Sequence, residues 1–133
     1  MRVWIYTRLS NDDDPERDSL QNQERICREF AAQRGDYIAG LSSDDNISGM
    51  NFSRRGLSRL TAAVEAGGLD GVVVKDLSRL GRHRTQTALF IDYLRERGVR
   101  VISATEGLDT FQEEDDLIIG VRGLMNDYYA KDI

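Results

Sequence analysis

Cysteine and histidine are almost missing from this chain, and their scarcity removes whole classes of active site. The 133 residues include one cysteine, Cys27, and one histidine, His83. This composition excludes an internal disulfide and a metal cage built from cysteines or histidines. A Ser–His–Asp triad is also disfavoured, because His83 lies among arginines without apolar neighbours. Cys27 shares a predicted helix face with Phe30 and Ala31, which indicates a small buried side chain and fits a reducing compartment.

Long apolar runs and the common nucleotide and hydrolase motifs are missing as well. No run approaches the roughly 18 apolar residues that a membrane span needs. Met1 leads directly into a strand-like segment, without the apolar region of a signal peptide. We therefore expect a cytoplasmic protein that does not enter a membrane. The sequence contains no P-loop, no G-x-G-x-x-G fingerprint and no G-x-S-x-G elbow.

Negative charge outnumbers positive charge, with 23 Asp and Glu against 18 Lys and Arg, but part of the positive charge is concentrated in two segments. The net charge of −5 argues against a grip on DNA that involves the whole surface. Residues 54–59 (RRGLSR) and 75–84 (KDLSRLGRHR) nevertheless form two basic islands. Asp12–Asp14 could in principle bind a divalent cation. Charge runs in exposed loops are usually solvated, and we expect the same of this one.

Strand-like and helix-like segments alternate along the chain. We predict strands at residues 2–8, 37–42, 72–74 and 99–104, helices at 19–35, 57–68, 85–98 and 113–133, and a possible short edge strand within 105–112. The β-branched run at 72–74 is typical of a strand buried on both faces. The alternation therefore predicts an α/β fold, with a mostly parallel four- to five-stranded sheet, helices on both faces and a long C-terminal helix.

Polar residues follow the first three predicted strands. These are Arg8 and Ser10 after the first, Asp44, Asp45 and Ser48 after the second, and Asp76, Ser78, Arg79 and Arg82 after the third. Functional sites in parallel sheets gather at the carboxyl ends of the strands, so we expect the three groups to converge. Ser10 could be a helix cap, a turn residue or a nucleophile.

A serine combined with several arginines suits chemistry at a phosphodiester. Arginine keeps its proton and is a poor base, but it binds phosphate oxygens in bidentate fashion and stabilises charge that develops on phosphorus. A serine near Arg8, Arg54, Arg79 and Arg82 could attack phosphorus without a metal ion. Two alternatives remain open: a metal-dependent nuclease that uses strand-end aspartates, and a phosphate-binding module without catalysis.

Five short motifs, in order along the chain, carry a resemblance to a known family. They are Tyr6-x-Arg8-x-Ser10, Ser19-Leu20-x-x-Gln23, Asp45-x-x-Ser48-Gly49, Arg54-x-Gly56-Leu57 and Ser78-Arg79-Leu80-Gly81-Arg82. Together they resemble the serine recombinases of the resolvase/invertase group, over almost the whole chain. Ser78 stands where the family's D-R-L-G-R motif has aspartate, which is similar to the large and transposon-borne branch. Asp76 is a possible substitute for that aspartate.

The resemblance implies that residues 1–133 form a resolvase-like catalytic domain, which recombines double-stranded DNA at specific sites. Ser10 would attack a DNA phosphate and form a 5′-phosphoserine link, and strand exchange and religation would follow without metal, ATP or another cofactor. The residues implied to hold the scissile phosphate are Arg8, Arg54, Arg79 and Arg82. Gln23 and Asp45 would position groups around it, Tyr6 would support the site from the strand, and Ser48 and Ser78 are lesser candidates.

The predicted C-terminal helix and the chain end suggest further partners. Two adjacent apolar stripes on the helix at 113–133 form a face wider than one sheet covers. We expect self-association through this helix, and the resemblance implies a dimer and a synaptic tetramer. We also expect that the chain is a fragment, with a DNA-binding region beyond residue 133. Its expected setting is the cytoplasm of a bacterium that carries a phage or another mobile element.

Overall fold

The computed structural model describes residues 1–46, 54–81 and 83–112, which form one sheet flanked by helices. The strands are β1 (Arg2–Leu9), β2 (Tyr37–Asp45), β3 (Gly71–Val74), β4 (Arg100–Ser103) and β5 (Leu108–Asp109). The helices are α1 (Leu20–Arg34), α2 (Arg55–Ala66) and α3 (Arg84–Glu96), and a 3₁₀ turn covers Leu77–Arg79. The predicted helix at 113–133 lies outside the described residues.

The sheet has the strand order β2-β1-β3-β4-β5. β2, β1, β3 and β4 are parallel to their neighbours, and only the short edge strand β5 is antiparallel to β4. This order confirms the predicted α/β class, the mostly parallel sheet and the edge strand within 105–112. No helix in the described ranges is both long enough and apolar enough to cross a membrane.

Alternate residues of the central strands supply two separate cores. One core combines strand residues with residues of α2 and α3: Tyr6, Leu60, Val64, Val72, Val74, Leu80, Ile91, Leu94, Val99 and Val101. The other combines them with residues of α1: Val3, Ile5, Cys27, Ala31 and Val73. Helices therefore cover both faces, as predicted. Burial raises the pKa of the Cys27 thiol to about 12, so this side chain behaves as a small hydrophobe.

Local signals explain why α1 starts and ends where the sequence predicts. The Ser19 hydroxyl accepts a hydrogen bond from the Asn22 N–H at 3.1 Å, which caps the first turn. Gly35 has a φ of 75°, in the left-handed region that glycine adopts without steric cost. The N–H of Gly35 reaches the carbonyl oxygens of the last turn, and the chain turns directly into β2.

β2 continues to Asp45, although the sequence predicted an end at residue 42. The polar run from Ser43 to Asp45 is typical of a loop, and this prediction was wrong for a physical reason. Only Asp44 of this run is buried, and it accepts hydrogen bonds from α2; Ser43 and Asp45 are exposed, and Ser43 Oγ lies 2.6 Å from Thr7 Oγ1. Satisfied polar groups tolerate burial, so the strand can extend.

Gly56 allows the start of α2 to lie against the backbone of β2. A Cβ atom at this position would be 2.6 Å from the carbonyl oxygen of Ser43 and 2.7 Å from its carbonyl carbon. Any larger residue would push the helix away from the strand. This close contact brings Arg54, which directly precedes α2, to the carboxyl ends of the strands.

Candidate active site

The described members of the three predicted groups of polar residues converge at the carboxyl ends of β1, β2 and β3. The Tyr6 hydroxyl of β1 donates to Asp44 Oδ2 of β2 at 2.7 Å. The Arg8 guanidinium of β1 donates to the carbonyl oxygen of Ser78, which follows β3. The parallel sheet therefore unites residues that lie about 70 positions apart in the sequence, as the topology requires.

Ser10 lies directly after β1, with 7% of its surface exposed, and it contacts Asp13 through two groups. Its backbone N–H and its hydroxyl both lie near Asp13 Oδ2, at 2.8 and 3.2 Å. The expectation that Asp12–Asp14 are simply solvated is therefore wrong for Asp13, whose side chain is 15% exposed. Asp12 and Asp14 are exposed, as expected. A tight turn causes this difference in exposure between Asp13 and its two neighbours, because the Asp13 N–H donates a hydrogen bond to the Ser10 carbonyl at 3.1 Å.

Arg79 is buried and ties together three parts of the site. Its Nη1 donates to Asp13 Oδ2 at 2.7 Å and to the Arg8 carbonyl at 2.9 Å. Its Nη2 donates to Asp76 Oδ2 at 3.2 Å. Burial favours a lower pKa for Arg79, but the carboxylates of Asp76 and Asp13 outweigh that effect and raise it. Arg79 is thus a charge-matched cation that fixes the loop after Ser10 to the 3₁₀ turn.

Arg8 and Arg54 differ from Arg79, because neither forms an ion pair with a carboxylate within the described ranges. Arg8 is 5% exposed, and Arg54 donates from Nη2 to the Leu80 carbonyl at 3.2 Å. The Nε atoms of both arginines are buried without a hydrogen-bond partner. Burial, and next the charge of Arg54, lower the pKa of Arg8. Two guanidinium groups with excess positive charge form a site suited to an anion.

Gln23 holds the end of β1 through its side-chain amide. Its Oε1 accepts the Arg8 N–H at 3.1 Å, and its Nε2 donates to the Arg8 carbonyl at 2.9 Å and to the Asp18 carbonyl at 2.7 Å. The side chain is fully buried, so it contacts backbone and is not exposed to a substrate. Gln23 therefore holds the backbone of the segment that carries Arg8 and Ser10, and its role around the scissile phosphate stays a prediction.

Asp44 was expected among the converging residues but was given no role, and it supports Tyr6 and the helix start that follows Arg54. Its Oδ1 accepts the Gly56 N–H at 2.7 Å, and its Oδ2 accepts the Leu57 N–H at 3.0 Å as well as the Tyr6 hydroxyl. Burial, and next the hydrogen bond to Asp44, raise the pKa of Tyr6 far above its usual range. The sequence does hold a signal: Arg54, the N-cap residue of α2, is not a capping residue type and makes no side-chain cap, so the acceptor for the first N–H groups must come from elsewhere.

Asp45 is exposed at the end of β2, whereas its neighbour Asp44 faces the buried site. The positioning role of Asp45 stays a prediction. The predicted residues Ser48 and Arg82 lie outside the described residues, and their roles stay predictions as well.

Ser78 is exposed, and its N–H and hydroxyl both donate to Asp76 Oδ1, the former at 3.1 Å. Asp76 and Ser78 are therefore adjacent at the edge of the site.

A second buried ion pair, also missed from the sequence, lies behind Arg79. Lys75 Nζ donates to Asp18 Oδ1, and Arg79 Nη2 is 3.5 Å from the same oxygen. Burial favours a higher pKa for Asp18, but the hydrogen bond from Lys75 and further donors lower it to about 2. In the part of the chain that the structure describes, no group of three or more His, Cys, Asp or Glu side chains could hold a metal ion. The carboxylates of this region bind cationic side chains and backbone N–H groups.

Comparisons with known proteins agree with this geometry. Residues 3–133 match the family described as "Resolvase, N terminal domain", and the chain belongs to that family. The serine recombinase Gin of Escherichia phage Mu is 32% identical over 107 residues, which are 79% of this chain and 48% of Gin. The Tn3 resolvase of Escherichia coli is 28% identical over 121 residues, which are 91% of this chain and 60% of the resolvase.

Solved structures of related domains have the same fold. The N-terminal catalytic domain of TP901-1 integrase superposes with a TM-score of 0.80 at 25% identity, covering 98% of each chain. A resolvase-family site-specific recombinase from Streptococcus pneumoniae gives a TM-score of 0.82 at 25% identity, covering 99% of this chain and 89% of that one. The chain spans about half the length of curated relatives such as Gin.

Proposed function

We propose that this chain is the catalytic domain of a site-specific DNA recombinase in which Ser10 is the nucleophile. One observation carries the proposal: the buried Arg8 and the half-buried Arg54 bring two guanidinium groups, neither in an ion pair within the described ranges, to the strand end that carries Ser10. A phosphodiester supplies the anion that this arrangement lacks, and its phosphorus is the electrophile that a serine can attack. Family membership supports the same reaction.

The proposed step is a transesterification. A bond forms between Ser10 Oγ and phosphorus, while the bond from phosphorus to the 3′ oxygen breaks and a 3′ hydroxyl leaves. The protein remains attached to the 5′ end through a phosphodiester, so religation by the reverse step needs no external energy source. Arg8 and Arg54 stabilise the charge on the non-bridging oxygens as the five-coordinate centre develops, and Arg82 is proposed to join them.

The partners of the whole protein follow from the same proposal. We infer that it acts on double-stranded DNA in the cytoplasm, and that it assembles into a dimer and then a synaptic tetramer through the predicted helix at 113–133. The similar proteins Gin and Tn3 resolvase come from a phage and a transposon. The first DNA to test is therefore the junction between host DNA and the mobile element that encodes this chain.

Covalent trapping on that junction DNA tests the proposed function. The full-length protein is incubated with duplexes labelled at the 3′ end, in the presence of a chelator, and quenched with denaturant. A 5′ link keeps the 3′ label on the protein, whereas a 5′ label should appear on a free fragment that ends in a 3′ hydroxyl. We expect a labelled adduct that survives the chelator and is lost in Ser10→Ala.

A matched serine variant controls for general damage to the protein. Ser58 is exposed on α2, and Ser58→Ala removes only an exposed hydroxyl group, so this variant should form the adduct at the wild-type rate. Cleavage that requires a divalent metal and leaves no adduct would favour the metal-dependent nuclease. Binding of the junction DNA without any cleavage would favour a phosphate-binding module.

A further inference from the structure

Asp13 is the only carboxylate, among the described residues, that contacts the Ser10 hydroxyl. A single oxygen, Oδ2, lies near three donors: the Ser10 N–H at 2.8 Å, the Ser10 hydroxyl at 3.2 Å and Arg79 Nη1 at 2.7 Å. A turn that merely needed an acceptor would require the first contact alone. The other two contacts join the nucleophile to a buried cation through this carboxylate.

The contact also fixes the direction in which the Ser10 hydroxyl points. A serine hydroxyl has one proton, and here that proton is donated to Asp13 Oδ2. The lone pairs of Oγ are therefore directed away from Asp13 and remain available to an electrophile. Ser10 needs such an acceptor, because an unassisted hydroxyl is a weak nucleophile at neutral pH. The carboxylates of Asp44, Asp76 and Asp18, which also lie near this strand end, accept hydrogen bonds from Tyr6, Arg79 and Lys75 and have no contact with the Ser10 hydroxyl within the described ranges.

We propose that Asp13 is a catalytic residue that orients the Ser10 hydroxyl and accepts its proton during attack on phosphorus. This inference rests on the proposed function. As the bond from Oγ to phosphorus forms, the proton moves from Oγ to Asp13 Oδ2, and the bond from phosphorus to the 3′ oxygen breaks. The departing 3′ oxygen takes a proton from water. During religation the steps reverse, and Asp13 returns the proton to Oγ.

Arg79 serves as the positioning residue for Asp13. Arg79 is 3% exposed, and its Nη2 donates to Asp76, so its position is fixed. Its Nη1 therefore holds the Asp13 carboxylate in place through a hydrogen bond. Nη1 also donates to the Arg8 carbonyl, which connects Arg79 to the strand that precedes Ser10. Arg79 thus fixes the separation between proton donor and acceptor, and is itself paired before any phosphate binds.

The test is the rate of adduct formation by the full-length protein on junction DNA, measured as a function of pH. Asp13→Asn keeps an oxygen that can accept the Ser10 N–H and the Arg79 contact, but it cannot take up a proton at neutral pH. We expect adduct formation to fall by roughly 100-fold or more, the range for loss of general-base catalysis. The acid limb of the wild-type pH profile should disappear, which a merely structural role would not cause.

A neighbouring aspartate provides a matched control. Asp12 is exposed in the same loop, and Asp12→Asn removes the same charge one position away, so it should keep the wild-type rate and pH profile. DNA binding by Asp13→Asn should equal that of the wild type. In Asp13→Ala, added formate should restore part of the lost rate, because a small carboxylate can then accept the proton.

Each outcome decides between the alternatives. A rate in Asp13→Asn that equals or exceeds the wild-type rate would overturn the inference, and a faster rate would show that Asp13 blocks the site until DNA displaces it. The proposed function would survive that result, because the Ser10 adduct would still form. Absence of the adduct in the wild-type protein would overturn both.

Discussion

Replacing Gln23 by methionine isolates the contribution of one buried amide to the geometry of the site. The substitution keeps the length of the side chain but removes both hydrogen-bonding groups. It leaves the Arg8 N–H and the Asp18 carbonyl without their partners, whereas the Arg8 carbonyl keeps the hydrogen bond from Arg79. Each orphaned buried backbone group costs roughly 1 to 3 kcal/mol, and the buried methionine side chain recovers about 1 kcal/mol. We therefore expect a loss of about 3 kcal/mol in the free energy of unfolding.

Urea denaturation measures this loss, and the chain contains its own control. Gln21 lies two positions earlier on the same helix and is exposed, so Gln21→Met makes the same chemical change without orphaning a buried group. The free energy of unfolding of Gln21→Met should stay within about 0.5 kcal/mol of the wild-type value, as is usual for surface substitutions. A difference of less than about 1 kcal/mol between the two variants would refute the view that Gln23 holds the end of β1.

Two further predictions concern the charges and the packing around the site. The pKa of Asp18 is lowered from 3.8 to about 2, so its ion pair stabilises the fold above pH 3.8, and this stability of about 2 kcal/mol is lost as the pH falls toward 2. Lys75→Met should flatten this part of the curve of urea midpoint against pH. An unchanged slope would contradict the assignment. Gly56→Ala places a methyl group 2.6 Å from the Ser43 carbonyl oxygen, so it should lower the free energy of unfolding by about 1 to 3 kcal/mol. It should also slow adduct formation, because it displaces Arg54. Wild-type stability would contradict the close contact.

The sequence is informative about the fold because local signals and periodicity agree. Ser19 and Gly35 mark both ends of α1, and the run at 72–74 marks a strand with two covered faces. The main error, at the end of β2, arose because polarity was taken to indicate a loop. Asp44 has partners on Tyr6 and α2, which are distant in sequence, and no local pattern shows that such partners exist.

The site was predictable in outline but not in its hydrogen-bonding partners. The parallel sheet brings Arg8, Ser10 and Arg79 together, and this could be inferred from where the strands end. The part played by Asp13 could not be inferred, because three consecutive aspartates in a polar loop look alike. The tight turn after Ser10 brings Asp13, rather than Asp12 or Asp14, into the site. The ion pair with the buried Arg79 compensates for the partial burial of the Asp13 carboxylate.

The central claim is that the Ser10 hydroxyl forms a covalent bond to a DNA phosphate, and peptide mapping of the trapped adduct tests it most directly. The adduct is digested with nuclease and trypsin and analysed by mass spectrometry. Cleavage after Arg8 and Arg17 releases the peptide of residues 9–17, LSNDDDPER, in which Ser10 is the only serine. The account predicts a nucleotide phosphate on this peptide, attached at Ser10. A nucleotide on another peptide, or an unmodified 9–17 peptide from an isolated adduct, would contradict it.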